Sequence, residues 1–148
     1  MGITLRVITM GNFRECLALK LEPGQKNFVA SNLYSLAEAK ADGISVPPAV
    51  YSGETMVGFV MYWYDEENKY GHIERLMMDR RHQRKGYGRA AMVEVIERLK
   101  ENPGIREIEV SFEHDNVGAD RLYASLGFER TGQTTDDGDE TITKLKIE

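Results

Sequence analysis

With Cys16 as the only cysteine in 148 residues, an internal disulfide has no partner. His72, His82 and His114 are scattered rather than spaced for ligation, so no zinc or other metal site is expected. Cys16 itself reads as a small helix-packing residue. No apolar run approaches the roughly 20 residues that cross a bilayer, and "MGITLRVITM" lacks a basic stretch leading into a continuous apolar one. A signal peptide and a membrane partner are therefore not expected, and a cytosolic location is. An overall basic charge is missing too: the formal net charge of −5 weighs against broad nucleic-acid binding. Repeats, linkers and low-complexity tracts are absent. With 41% apolar and 29% charged residues, the length suits one soluble domain over residues 1–148.

What is present is a succession of two periodicities. "ITLRVIT" alternates as a first strand, "NFRECLALKL" reads as a helix broken by "EPGQ", and "NFVASNLYSLAEAKA" as a second helix ending at Asp42-Gly43. Beyond Pro47-Pro48, "AVYSG" and "TMVGFVMYWY" form a hairpin about Ser52-Gly53-Glu54, and "DEENKYG" turns into a third strand, "HIERLMMD". Met92, Val95, Ile96 and Leu99 then recur at helical spacing until Asn102-Pro103-Gly104 stops them. "REIEVSF" alternates as a half-buried strand. Asn116 stands as the N-cap of a helix bearing Ala119, Leu122, Tyr123 and Leu126, and Gly127 takes its C-terminal turn. A short strand, a turn at Asp137-Gly138 and "TITKLKI" form a closing hairpin. The order β-α-α-β-β-β-α-β-α-β-β predicts a mixed α/β (α+β) architecture.

Charge is distributed unevenly. Five Arg or Lys residues and one carboxylate lie between Asp79 and Arg89, whereas "YDEENK" and "TTDDGDE" are acidic. Such asymmetry suits a small anionic ligand held at one place on a protein that otherwise repels polyanions. The basic stretch contains Gln83-Arg84-Lys85-Gly86-Tyr87-Gly88, between a predicted strand and a predicted helix. Unpaired N–H groups at a helix start attract phosphate, and glycines let it approach without a Cβ in the way. Arg84, Lys85 and Arg89 would add charge-assisted contacts. A nucleotide P-loop is excluded because the Lys-Ser/Thr ending is missing, and a dinucleotide fingerprint because its third glycine is missing. A merely solvated loop and a basic nucleic-acid patch are the alternatives, the second disfavoured because Tyr87 is the one aromatic there.

The segment resembles the acyl-CoA-binding motif of the GCN5-related N-acetyltransferase superfamily, Q/R-x-x-G-x-G/A, with Gln83, Gly86 and Gly88 at the defining positions. "NVGADRLYASLGFER" resembles the second coenzyme-facing helix of that family, N-x-x-A-x-x-L-Y-x-x-x-G-F. The resemblance extends over essentially the whole chain. It implies a mixed, mostly antiparallel sheet of about seven strands with about four helices and splayed central strands. It also implies acetyl-CoA as co-substrate, held by the main chain of Leu76, Met77 and Met78, by residues Gln83 through Arg89 including Tyr87, and by Asn116. A homodimer is common in the superfamily and is expected here on that ground.

Acetylating an amine requires loss of a proton, because an amine with a pKa of roughly 10.4 is neutral in only about one molecule per thousand near neutrality. Tyr123 stands where the family's proton-donating tyrosine does, although its helix face, shared with Leu122 and Leu126, also fits a core tyrosine. Glu74 is the candidate base: alternation places it with Leu76 and Met78 on one side of the strand, Arg75 and Met77 on the other. A carboxylate in an apolar strand is costly to bury, and burial raises its proton affinity. A salt bridge to Arg75 or Arg121, or plain exposure, is the structural alternative for Glu74. "IERLMMD" resembles the corresponding strand of polyamine acetyltransferases, and the first helical region resembles that of bacterial spermine/spermidine acetyltransferases. Glu22 and the "DEEN" turn would then attract a polycation. The expected activity is direct transfer in a ternary complex to a primary amine, with a polyamine such as spermidine or spermine as the expected acceptor. Other acceptors (a protein N-terminus, lysine, an amino acid, an aminated drug) and a non-catalytic acyl-CoA sensor stay open.

Overall fold

In the structure, a computed structural model that describes residues 2–25 and 30–148, these periodicities become seven strands and four α-helices among the described residues. In chain order they are β1 (Ile3–Arg6), α1 (Phe13–Ala18), α2 (Asn32–Asp42), β2 (Ala49–Ser52), β3 (Thr55–Asp65), β4 (Tyr70–Met78), α3 (Tyr87–Lys100), β5 (Glu107–Glu113), α4 (Val117–Ser125), β6 (Glu129–Thr134) and β7 (Glu140–Lys146). The order is the expected one, with two added 3-10 turns at Pro23–Gln25 and Arg80–His82. Within the second expected helix, residues 27–29 lie outside the described residues. The described helix starts where the Ser31 hydroxyl accepts the Tyr34 N–H at 3.1 Å and ends where Gly43 turns left-handed, at φ 70°. The first helix is shorter than expected and stops at Ala18, with Leu19 extended.

The strands form one sheet in the order β1-β2-β3-β4-β5-β7-β6. Every adjacent pair is antiparallel except β4 and β5, which run parallel because α3 carries the chain across between them. The apolar stripe of α3, including Met92, Val95 and Leu99, packs with Val60, Ile73, Ile108 and Val110 on one face, joined there by Tyr123 of α4. On the other face Cys16 and Leu19 of α1 and Ala39 of α2 cover Met56, Phe59, Met61 and Met77. β3 is thus covered on both sides, which is why its sequence is an unbroken apolar run. β5 is covered on one: Ile108, Val110 and Phe112 are buried, while Glu109, Ser111 and Glu113 remain half-exposed.

Two irregularities of β4 matter for function. Its pairing with β3 passes from Tyr62↔Ile73 to Met61↔Arg75, so Glu74 is an extra residue, a β-bulge. The strict alternation expected through Glu74 is therefore interrupted. Ile73, Leu76 and Met78 side with α3, and Met77 with α1 and α2, where Arg75 also reaches Ser35 and Glu38. At the same place the parallel pairing ends: it runs from Tyr70↔Glu107 to Ile73↔Val110, after which β5 continues with β7 as far as Glu113↔Glu140. The expected splay of the central strands is thus present.

Close approach of β3 and β4 depends on Gly58, opposite Met78: a Cβ there would strike the Met77 carbonyl oxygen and lie 2.6 Å from Met78 Cε. Gly58→Ala is expected to cost about 1–3 kcal/mol, the usual range for overpacking, read as a lower urea midpoint at unchanged slope. An unshifted midpoint would mean that the strand pair yields freely.

Candidate active site

Where β4 and β5 part, the sheet opens into a cleft of about 710 Å³. Leu76, Met77 and Met78 line it from β4, and Gln83, Arg84, Gly86, Gly88 and Arg89 from the loop and first turn of α3. Asn116, Tyr123 and Glu74 are also on the lining. Three expected residues are not on the lining. Lys85 is exposed beside it, and Tyr87 packs on the core with its ring tilted against His82, 6.5 Å between centroids. Glu22 is exposed just after Leu21, which does line the cleft.

The glycine-rich segment has the geometry of an anion cradle. Arg84 and Gly86 both turn left-handed, at φ 63° and 81°, so the chain folds tightly before α3. Gly86 occupies the N-cap without a side chain to satisfy the first N–H groups of the helix, and no acidic residue stands in the first turn. The positive end of the helix is therefore left for a ligand. Gln83 does not point outward but donates its Nε2–H to the Met78 carbonyl at 3.0 Å, fastening the loop to the end of β4.

A second fastening is Asp79, which is 1% exposed. Its carboxylate accepts the Lys20 N–H at 2.8 Å, the Arg81 N–H at 3.2 Å and the Arg81 Nε–H at 2.7 Å. Burial pushes this carboxyl up, but the bonds from Lys20 and Arg81 together outweigh burial and leave it below its ordinary value. The loop is thus anchored to the chain after α1.

Tyr123 is both packed in the core and part of the cleft lining. Its ring packs between Phe112 and Phe128, at centroid distances of 5.8 and 5.9 Å, yet it also lines the cleft. Burial, and then the Glu140 charge, push its phenol above the usual value, so it stays protonated and keeps an O–H to donate. Glu74 pairs with neither arginine considered for it among the described residues. Arg75 instead binds Glu38 at 2.6 Å, and the Glu74 Oε1 accepts the Ser45 hydroxyl at 2.7 Å.

Sequence reasoning missed the opposite wall. Ser111, Glu113 and Glu140 line the cleft there, with Ser111 donating to Glu140 at 2.8 Å. Burial, followed by repulsion from Glu140, Asp139, Asp115 and Asp137, raises the Glu113 carboxyl. The polar side of the β5 alternation and the acidic tail were the available signals. Asn116 fills both its expected places, since its Oδ1 caps α4 by accepting the Ala119 N–H at 3.1 Å and its side chain borders the cleft. Cys16 is fully buried and absent from the lining, and burial pushes its thiol up to about 11. No group of three or more His, Cys, Asp or Glu side chains converges as a metal site among the described residues. Likewise, no described helix is long and apolar enough to cross a membrane.

The sheet splays beside a glycine-rich helix start, with Tyr123 and Glu74 both on the lining of the cleft, and the chain matches the Acetyltransferase (GNAT) family over residues 13–128. It belongs to that family and is an acetyltransferase. It is 31% identical to the spermine/spermidine N(1)-acetyltransferase of Bacillus subtilis (strain 168), with 97% of this chain and 99% of that protein covered. Among solved structures, a spermidine N-acetyltransferase from Vibrio cholerae in complex with CoA and spermine superposes with TM-score 0.78 at 17% identity, covering 97% of this chain and 95% of that one. The aminoglycoside acetyltransferase AAC(6')-Ib in complex with coenzyme A superposes with TM-score 0.81 at 18% identity, covering 98% and 95%. At such identities the two structures bear on the fold alone.

The two motif glycines should respond oppositely to substitution. Gly86→Ala is expected to cost about 1–2 kcal/mol, because its left-handed conformation penalises a Cβ. At Gly88 a methyl would meet Leu122 and Met78 at 3.8 and 3.9 Å, ordinary contacts, so Gly88→Ala should stabilise the helix by up to about 1 kcal/mol. Thermal unfolding of both variants checks the contrast, and equal shifts would contradict it. For Asp79, a depressed carboxyl contributes stability that is full above its unfolded value of about 3.9 and is lost as pH falls through the folded value. Asp79→Asn should therefore flatten the loss of stability between about pH 5 and pH 3, measured by urea unfolding across that range.

Proposed function

We propose that the chain, acting as one domain, transfers the acetyl group of acetyl-CoA directly to a primary amine of a polyamine such as spermidine or spermine. The observation that carries the acceptor class is the carboxylate lining of the cleft: Glu74 on one wall, Glu113 and Glu140 on the other. A polycation between these walls would relieve the repulsion that raises the Glu113 carboxyl. The names of the full-length bacterial relatives agree with this choice. Aminoglycosides are also polycations, so the fold by itself favours neither.

The residues present fit the coenzyme. The uncapped start of α3 and Gly86, beside which a Cβ would meet open space, make room for a pyrophosphate, with Arg84 and Arg89 on the lining and Lys85 exposed nearby. The main chain of Leu76, Met77 and Met78, released from β5, would hold the pantetheine arm, and Asn116 would reach it through its amide Nδ2, its Oδ1 being committed to the cap. When bound, acetyl-CoA supplies a thioester that an amine can attack. Glu74 takes the proton that frees the amine lone pair. Tyr123 gives its O–H proton to the departing sulfur, which leaves as the thiol, and the phenol is restored by the second amine hydrogen, lost from nitrogen as the amide forms. Cys16, buried and inert, takes no part, which leaves direct transfer in a ternary complex. Glu22, exposed beside Leu21, would act at the entrance. The reading includes a cytosolic location, supported by a single thiol that needs no oxidising compartment, and a homodimer, supported by family resemblance.

Following thiol release with putrescine, spermidine, spermine, lysine, a peptide and an aminoglycoside tests the acceptor. Turnover is expected with the polyamines, and silence from all three beside a reactive peptide would refute the choice. CoA binding by calorimetry without product from any amine would instead indicate a sensor. Tyr123→Phe is expected to lower kcat about 10²-fold with CoA affinity changed less than about threefold. Glu74→Gln should depress the rate near neutrality while activity recovers in alkali, where the amine deprotonates unaided. A parallel loss at every pH would remove Glu74 from the proton step.

A further inference from the structure

The hydroxyl that meets Glu74 has a second carboxylate. Ser45 Oγ lies 2.7 Å from Glu74 Oε1 and 2.6 Å from Asp42 Oδ2. A serine hydroxyl carries one hydrogen, so it can donate to only one of the two at a time. With both carboxylates ionised, the other contact would bring two lone pairs face to face. One added proton completes the bridge. Asp42 already accepts the Ile44 N–H at 2.8 Å and the Ser45 N–H at 2.9 Å, which hold it in the ionised form. Those bonds, after the one from the Ser45 side chain, keep its carboxyl below the usual value. The added proton therefore belongs on Glu74, which donates to Ser45 while Ser45 donates to Asp42. The geometry also has a direction: Glu74 lines the cleft, Ser45 is half-buried and Asp42 is exposed.

We propose that Asp42 and Ser45 are positioning residues for Glu74, forming a hydroxyl-bridged carboxylate pair that receives the proton taken from the acceptor amine and passes it to solvent. The proton leaving the ammonium nitrogen bonds to the Glu74 carboxylate. The Ser45 hydroxyl then takes a proton from Glu74 as its own passes to Asp42, and Asp42 releases one to water, which restores the starting state. No electron transfer or further reactant is needed. Besides Asp42, the groups about Glu74 are Tyr62 of β3, opposite Ile73, and Arg75, held by Glu38 and Ser35 of α2. Across the cleft stand Glu113, Glu140 and Tyr123, and Arg84 and Arg89 close the α3 end. None of these shares the Ser45 hydroxyl, so the bridge can be altered separately.

The inference rests on Glu74 being the base, and the test separates the two. The acidic limb of kcat/KM for spermidine against pH is measured in the wild type and in Asp42→Asn, Ser45→Ala, Ser45→Thr and Glu74→Gln. Loss of the neighbouring charge lowers the proton affinity of Glu74, so Asp42→Asn should move the limb to lower pH by at least about half a unit. Ser45→Ala should displace the limb and lower kcat several-fold with little change in KM, and Ser45→Thr, which keeps the hydroxyl, should restore both. A limb that stays in place in Asp42→Asn and Ser45→Ala but vanishes in Glu74→Gln overturns the bridge and leaves the base assignment standing. A limb unaltered in Glu74→Gln overturns both. Carbon-13 titration of the Glu74 carboxyl in wild type and Asp42→Asn gives the same comparison without turnover: a downward shift supports the bridge, and coincident curves refute it.

Discussion

The structure depends on the parallel pairing of β4 with β5 and on its ending at Ile73↔Val110. Backbone N–H and C=O groups released from a sheet must find other partners or be costly to bury. Beyond Ile73 those of β4 face a cleft instead of β5, which makes the strand edge a template for an extended ligand with amide groups of its own. The bulge at Glu74 coincides with the parting and turns the chain just where a side chain has to leave the alternation. One extra residue in β4 thus stands where β4 and β5 stop pairing, and it carries the carboxylate.

The core and the site are built from the same elements. α3 packs Met92, Val95 and Leu99 against the sheet while its uncapped start faces the cleft. Asp79, buried and fully engaged, ties the loop before α3 to the chain after α1, and Gln83 ties it to β4. Tyr123 is wedged between Phe112 and Phe128, so its hydroxyl is held by packing rather than by a polar partner. Burial keeps that phenol protonated, as the proposed donor role requires. The electrostatics are divided accordingly, with Arg84 and Arg89 at the helix start and the carboxylates of Glu74, Glu113 and Glu140 elsewhere on the lining of the same cleft.

Element types and order could be read directly, because each depends on neighbours a few residues away. The unbroken apolar run of β3 and the alternation of β5 announced a strand covered on two faces and a strand covered on one. The Gln83–Gly88 segment and the Asn116 cap were legible for the same reason: left-handed glycine and capping asparagine act within a turn of the chain. The side chains around Glu74 were not legible. Ser45 meets Glu74 across 29 residues, and Ser111 meets Glu140 across another 29. The bulge at Glu74 was not legible either, because a bulge is a property of two paired strands, absent from either one alone.

Local pattern alone therefore determined the strands, the helices, the anion cradle at Gly86 and the family to which they point, since backbone preferences and capping are short-range. Tertiary structure decided which carboxylates line the cleft, that Tyr123 belongs to both the core and the cleft lining, and that Ser45 sits between Glu74 and Asp42. Those outcomes follow from strand register and from where two strands stop pairing, which no stretch of sequence specifies by itself.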